Sequence, residues 1–310
     1  MRHNTKVVHL SILRCLFHAI AFACWAASIG SVVAIAQDYP PVRISDSSGW
    51  GRNIQRTMRL LATSAEEKRN TVRILFYGQS ITEQNWSKLV EEDLRKRFPH
   101  ANLIVENRAL GGFSSQLLVK TAETDLYPFQ PDLLIFHVYG AHDKYEDIIR
   151  RTREYTTAEI LIQNDHVTKP DDFTEETDAA QLLPDGKHWD AFMNHNHLPA
   201  MAQKYHAELC DQRRLWKAYL LENKLEPKRL LRDAVHLNEH GEWLMAECVK
   251  WTAEARFLDE FRSPVESDLA TEAVVTIAQV LSNSKHLLEV VCELPSTIHS
   301  IRVYGSVNPR

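Results

Sequence analysis

The stretch that decides the fold is Val72 to Thr82, VRILFYGQSIT. An apolar run ends in a tight Gly-Gln-Ser-Ile-Thr turn. A helical pattern follows at once, with Trp86, Leu89, Val90, Leu94 and Phe98 at helical spacing. Strand, sharp turn, serine, helix is how a nucleophile is presented at the carboxyl edge of a parallel sheet. The helix start adds backbone N–H donors and positive potential beside the serine oxygen. Ser80 is therefore a candidate nucleophile. Read alone, the same residues also suit a plain strand-to-helix turn with Ser80 as the N-cap.

Working outward, strands and helices alternate from residue 71. Strands are expected at 72–78, 101–107, 132–139 and within 158–167, with a short, weak fifth at 206–210. Helices are expected at 85–98, 114–127, 143–155, 198–205, 216–223 and 242–257, and a short one at 56–61. The third strand, DLLIFHVY, is apolar almost throughout, as a strand buried on both faces must be. Such alternation implies an α/β fold: one parallel sheet covered on both sides by helices. The polar stretch 168–196 carries Pro170, Pro184 and Gly186 and reads as a long functional or disordered loop. In it Trp189 and Phe192 are candidates for a lid or substrate wall, or simply pack the loop onto the domain.

The ends differ from the middle. Residues 1–36 have a basic start, an apolar core and the small-x-small site Ala34-Ile35-Ala36, the pattern of a cleaved secretory signal peptide. An uncleaved anchor is the rival reading, since the apolar stretch is long enough to span a bilayer. Cleavage after Ala36 places the protein outside the cytoplasm, secreted or periplasmic; a membrane enters only if the leader stays. Residues 37–70 form a polar lead-in, 71–260 the main domain, and 261–310 a small β appendage. The composition, 44% hydrophobic and 25% charged over 310 residues, is that of a globular chain. Arg2, Lys6 and Arg14 are the leader's three formal charges. Of the chain's 36 Lys+Arg and 41 Asp+Glu the remainder thus keeps 33 and 41, a net charge of −8. That balance and the absence of a basic run argue against a nucleic-acid partner. Cys210, Cys248 and Cys292 lie beyond the leader, too few for a disulfide framework and without zinc spacing.

Acyl transfer needs a nucleophile, a base, a group that orients the base, and donors for the oxyanion. Asp233 and His236 lie three residues apart just before the last helix, a spacing that lets the carboxylate accept from the ring. Alone, Asp-x-x-His is also a helix-start carboxylate beside a surface histidine. Oxyanion donors are expected from the backbone at Ser80 and at Gly112, where glycine allows close approach. A third is expected from the 140–143 loop, Gly140-Ala141-His142-Asp143.

Gly78-Gln79-Ser80-Ile81-Thr82, Gly112, the Gly140 loop and Asp233-Ala234-Val235-His236 together resemble, in order and spacing, the blocks of the SGNH (GDSL-type) hydrolases. The resemblance covers residues 71–251. It implies a three-layer α/β/α, flavodoxin-like fold and ester hydrolysis through Ser80, His236 and Asp233, with no cofactor. Two positions depart from the pattern. Gln79 replaces the usual Asp, giving a block similar to the Gly-Gln-Ser of some carbohydrate acetylesterases. The third block reads Gly140-Ala141-His142 where the family has Gly-x-Asn, so His142 or the Ala141 amide would have to fill the donor slot. With the leader read as a signal peptide, the resemblance implies that the secreted chain is an esterase acting on short acyl groups, acetyl above all, of a small-molecule or polysaccharide ester. Alternatives are a lipid or phospholipid esterase, or an impaired relative that only binds glycans. A metal hydrolase using Asp165, His166, His195, Asn196, His197, Asp233, His236 and His240 is a further alternative, although His236-Leu237-Asn238-Glu239-His240 lacks the zinc-protease order.

Overall fold

The structure is a computed structural model that describes residues 39–43, 49–170, 178–184 and 188–255. The leader and the β appendage expected from the sequence lie outside the described residues. Five parallel strands form one sheet: β1 (Thr71–Gly78), β2 (Asn102–Asn107), β3 (Leu133–His137), β4 (Glu159–Gln163) and β5 (Glu208–Cys210). Their order is β2-β1-β3-β4-β5. This is the flavodoxin-like order, and its switch point lies between β1 and β3.

Alternation along the strands sorts side chains into two cores. Val72, Ile74 and Phe76 of β1, with Leu133 and Ile135 of β3, face one side. They meet α1 (Gln55–Ala62), α2 (Trp86–Arg97), α6 (Gln212–Glu222) and α7 (Glu239–Thr252). Leu75 and Tyr77, with Leu134, Phe136, Ile160 and Ile162, face the other. There they meet α3 (Ser115–Asp125), α4 (His142–Tyr155) and α5 (Leu198–Tyr205). This is the three-layer α/β/α arrangement. Each fully buried Leu, Ile or Phe contributes about 1.5–3 kcal/mol, so the two faces together hold the sheet between its helices.

α2 shows why the first helix forms. Trp86, Val90 and Leu94 recur every four residues and all are buried, while Arg95, Lys96 and Arg97 occupy the last turn, where the helix dipole favours cations. Trp86 packs edge-on against Phe76 at 5.4 Å and donates its indole N–H to the Ile81 carbonyl at 2.6 Å. This buried ring thus has its polar atom satisfied.

Three regions differ most from the sequence reading. α6 begins at Gln212, four residues early, because the Asp211 side chain caps it by accepting from Arg214 N. α7 begins at Glu239 because Asn238 accepts from Gly241 N, and it ends at Thr252. The expected loop to residue 196 is helical at its end: Trp189–Phe192 forms a helical turn, Met193–His197 a π-helical turn, and α5 follows directly. Among the described residues no helix is long and apolar enough to cross a membrane. Cys210 and Cys248 are free and buried, so neither forms a disulfide.

Candidate active site

The site gathers at the carboxyl edge of β1 and β3. Ser80 opens a one-turn helix, Ser80–Glu83, directly after β1. Gly78 allows this sharp exit: a Cβ there would collide with the His137 carbonyl oxygen of β3. Thr82 donates to that same carbonyl at 3.2 Å, tying the turn to the neighbouring strand. Asn107, at the end of β2, donates to the Thr82 carbonyl at 2.7 Å and to Ser87 Oγ at 2.9 Å. Three strands thus fix the Ser80 turn.

The residues before α7 form a closed loop. Leu231 and Leu237 make an antiparallel bridge, and Arg232 N–H donates to the His236 carbonyl at 2.9 Å. Inside the loop Asp233 Oδ1 accepts from the backbone N–H of Val235 at 2.9 Å and of His236 at 2.7 Å. These two amides, His236 first, pull the Asp233 carboxyl down to about 2. It is an anion at any pH where imidazole is neutral.

The loop delivers its histidine to the serine. His236 Nδ1 lies 2.9 Å from Asp233 Oδ2 and 3.1 Å from Oδ1, and His236 Nε2 lies 2.9 Å from Ser80 Oγ. A carboxylate only accepts, so Nδ1 carries the ring proton and Nε2 is the basic atom facing the serine hydroxyl. Residues 156 apart in the chain are thus in hydrogen-bond contact. The arrangement can remove a proton from Ser80 and hold the resulting imidazolium.

Two backbone N–H groups near the serine are candidate oxyanion donors. Among the described residues neither the Ser80 N–H nor the Gly112 N–H donates a hydrogen bond. Gly112 has φ +77°, a left-handed conformation that suits glycine. Its loop is drawn towards the serine turn: Leu110 N–H donates to the Gly78 carbonyl at 2.9 Å and Gly111 N–H to Glu83 Oε1 at 2.7 Å.

The third block is organised differently from expectation. Gly140, at φ +139°, sits against Ser115 and Gln116, where any Cβ would clash. The Ala141 N–H is already used, donating to Gln116 Oε1 at 3.1 Å. The His142 ring is packed among Trp189, Phe192 and His197, with centroids 5.3, 5.3 and 4.9 Å away, and stacks on Trp189 at 12°. Its Nε2 is buried without a partner, and burial lowers its pKa, so the ring is a neutral packing group. Among the described residues neither group hydrogen-bonds to the serine. Trp189 and Phe192 in turn pack down on His142.

The other polar residues singled out in the sequence go elsewhere. His240 Nε2 pairs with the Tyr219 hydroxyl at 2.7 Å, away from its i, i+4 partner His236. Asp165 is buried against His137, Oδ1 to Nε2 at 3.0 Å, and the Asn194 amide grips it at Oδ2 and at its backbone N–H. His166 reaches the loop that bears His236. Sequence reading missed the supporting residues Gln84, Glu83 and Asn107, because their roles lie in contacts across 153, 28 and 25 residues.

No family model matches the chain and no curated protein does. Solved structures do. A catalytic mutant of Axe2, an acetylxylan esterase from Geobacillus stearothermophilus, has a TM-score of 0.50 and 14% identity over 60% of this chain and 96% of its own. A protein described as a GDSL-like lipase, from Parabacteroides merdae, has a TM-score of 0.48 and 19% identity over 60% and 96%. The acetyl xylan esterase AlAXEase has a TM-score of 0.46 and 21% identity over 59% and 99%. At such identities the likeness is one of fold. It matches the three-layer architecture that the β2-β1-β3-β4-β5 sheet defines.

Proposed function

We propose that this chain is a serine esterase of the SGNH kind that hydrolyses short-chain acyl esters, acetyl above all, with carbohydrate as the alcohol part. The observation that carries the reading is the 2.9 Å contact of His236 Nε2 with Ser80 Oγ, on a ring whose Nδ1 is held by Asp233. In this mechanism Ser80 Oγ attacks the ester carbonyl carbon while its proton passes to His236 Nε2. The tetrahedral oxyanion is held by the N–H groups of Ser80 and Gly112. Collapse breaks the acyl–oxygen bond, and the leaving alcohol takes the proton from His236. Water then repeats the sequence on the acyl-serine, releasing the acid and restoring Ser80. Asp233 keeps the ring tautomer throughout. With Ala141 and His142 otherwise engaged, the hole runs on backbone donors. Each such donor is worth about 3 kcal/mol.

The acetyl-carbohydrate part has weaker support: the Gly78-Gln79-Ser80 block, and the presence of acetylxylan esterases among proteins of this fold. Secretion rests on the leader at 1–36. The test is p-nitrophenyl acetate hydrolysis by the purified chain beside Ser80→Ala, with EDTA present, and with longer acyl chains for comparison. Turnover that survives EDTA, disappears in Ser80→Ala and falls with acyl length is the expected result. Turnover indifferent to Ser80 would overturn the serine mechanism.

A further inference from the structure

Both chain neighbours of His236 are gripped by buried side chains that the mechanism above does not use. On one side is Gln84, four residues beyond Ser80 and 7% exposed. Leu237 N–H donates to its Oε1 at 3.0 Å, and its Nε2 donates to the Leu237 carbonyl at 2.9 Å. On the other side is His166, 1% exposed, whose Nε2 lies 2.8 Å from the Val235 carbonyl. A carbonyl only accepts, so Nε2 carries a proton. Nδ1 is buried without a partner, which makes the ring the neutral Nε2–H tautomer. Burial pushes its pKa down to about 4, in keeping with that state.

The two grips have separate footings. Gln84 belongs to the turn that presents Ser80. His166 follows β4, on a turn fixed by the Asp165–His137 pair, by Asn194, and by Arg213 donating to the Asp165 and His166 carbonyls at 3.4 and 3.2 Å. The loop needs such footing because it has little apolar anchorage. Residues 232–235 are exposed, and Val235 itself is 39% exposed.

We propose that Gln84 and His166 are positioning residues that form a two-sided clamp, setting His236 Nε2 within hydrogen-bond reach of Ser80 Oγ. The proposal rests on the reading of Ser80, His236 and Asp233 as the catalytic set. A displacement of about 1 Å in such a set costs on the order of a hundredfold in rate, so a clamp on both flanks acts on kcat more than on binding.

The test uses the full chain with three volume-keeping variants. His166→Phe keeps a ring and removes the donor. His166→Gln restores an N–H at similar reach. Gln84→Met keeps length and removes the amide. On p-nitrophenyl acetate, His166→Phe and Gln84→Met should each lower kcat roughly tenfold or more with KM within about twofold, and His166→Gln should recover most of the loss. Folded His166→Phe with unchanged kcat, or His166→Gln as impaired as His166→Phe, overturns the clamp. If the variants do not fold, long-range ¹H–¹⁵N spectra of the wild-type chain decide: a neutral Nε2–H ring at His166 at neutral pH supports it, and an Nδ1–H or charged ring overturns it. If the wild type turns over no ester, the esterase reading fails separately. The clamp is then judged on the His236 ring resonances, which should move in His166→Phe and would stay unmoved if the idea is wrong.

Discussion

Two histidine–aspartate pairs lie at the same edge of the sheet, and they are built in opposite senses. In the pair at the surface, Asp233 takes Nδ1 and leaves His236 Nε2 to face Ser80. In the pair beneath, Asp165 takes Nε2 of His137 and leaves Nδ1 buried with no partner. The side chains of Asp233 and His236 are 51% and 30% exposed, whereas those of His137 and Asp165 are 1% and 8% exposed. A proton on the outer pair has a route to serine and solvent; one on the inner pair has none. Residue type does not make a base. Which ring nitrogen is held, and what the other one sees, decides between chemistry and scaffolding.

The sharpest way to break this comparison is to damage each carboxylate in turn. Asp233→Asn should cost roughly 10⁴-fold in kcat through loss of the correct tautomer. Its urea midpoint should move little, because the Asn side-chain oxygen still accepts from the Val235 and His236 amides. Asp165→Ala should do the reverse. It leaves His137 Nε2 buried without its acceptor and should cost about 1–3 kcal/mol of stability, read by urea unfolding, while the molecules that stay folded keep far more activity than Asp233→Asn. If stability followed Asp233 and kcat followed Asp165, the distinction would collapse.

A gentler test is pH. His166 is lowered by burial from its ordinary 6.5 to about 4, and His197 likewise. Between those values the unfolded chain binds protons that the native one refuses, so stability falls as pH drops from 6.5 and levels off below about 4. At about 1.4 kcal/mol per pH unit, His166 contributes on the order of 3 kcal/mol to that fall. Asp233 works in a lower window: its contribution is present above 3.8 and is lost as pH falls through about 2. Urea midpoints should therefore decline from pH 6.5 to 4 in the wild type and decline less in His166→Gln. Equal slopes in the two proteins would show that His166 is not held neutral.

Much of the fold was legible because parallel strands buried on both faces are written as unbroken apolar runs, and β3 is the plainest case. β5 is three residues long and was readable only as a weak strand. The helix from Trp189 was not legible at all. Its buried positions include Asn194 and His197, so the polar atoms that grip Asp165 and pack His142 interrupt the apolar period. Ser80, Asp233 and His236 stood out by their local spacing. Gln84 did not stand out, and His166 did so only as a possible metal ligand, since their partners lie 153 and 69 residues away and nothing around either residue announces a contact with the His236 loop. The packing of the third block was hidden for a related reason: the pattern offered His142 or the Ala141 amide as a donor, and the stacking of Trp189 on the His142 ring cannot be seen in one dimension.

The π-helical turn Met193–His197 has a bearing on how related sequences should be aligned. A π turn holds one more residue than an α turn, and each residue rotates a helix by about 100°. The extra residue lets Asn194 reach Asp165 while Leu198 and Met201, one turn further on, still face the core. A homologue lacking it would carry its gap inside a helix and not in a loop. Alignments that push that gap into the neighbouring loop would put Asn194 out of register with the carboxylate it holds.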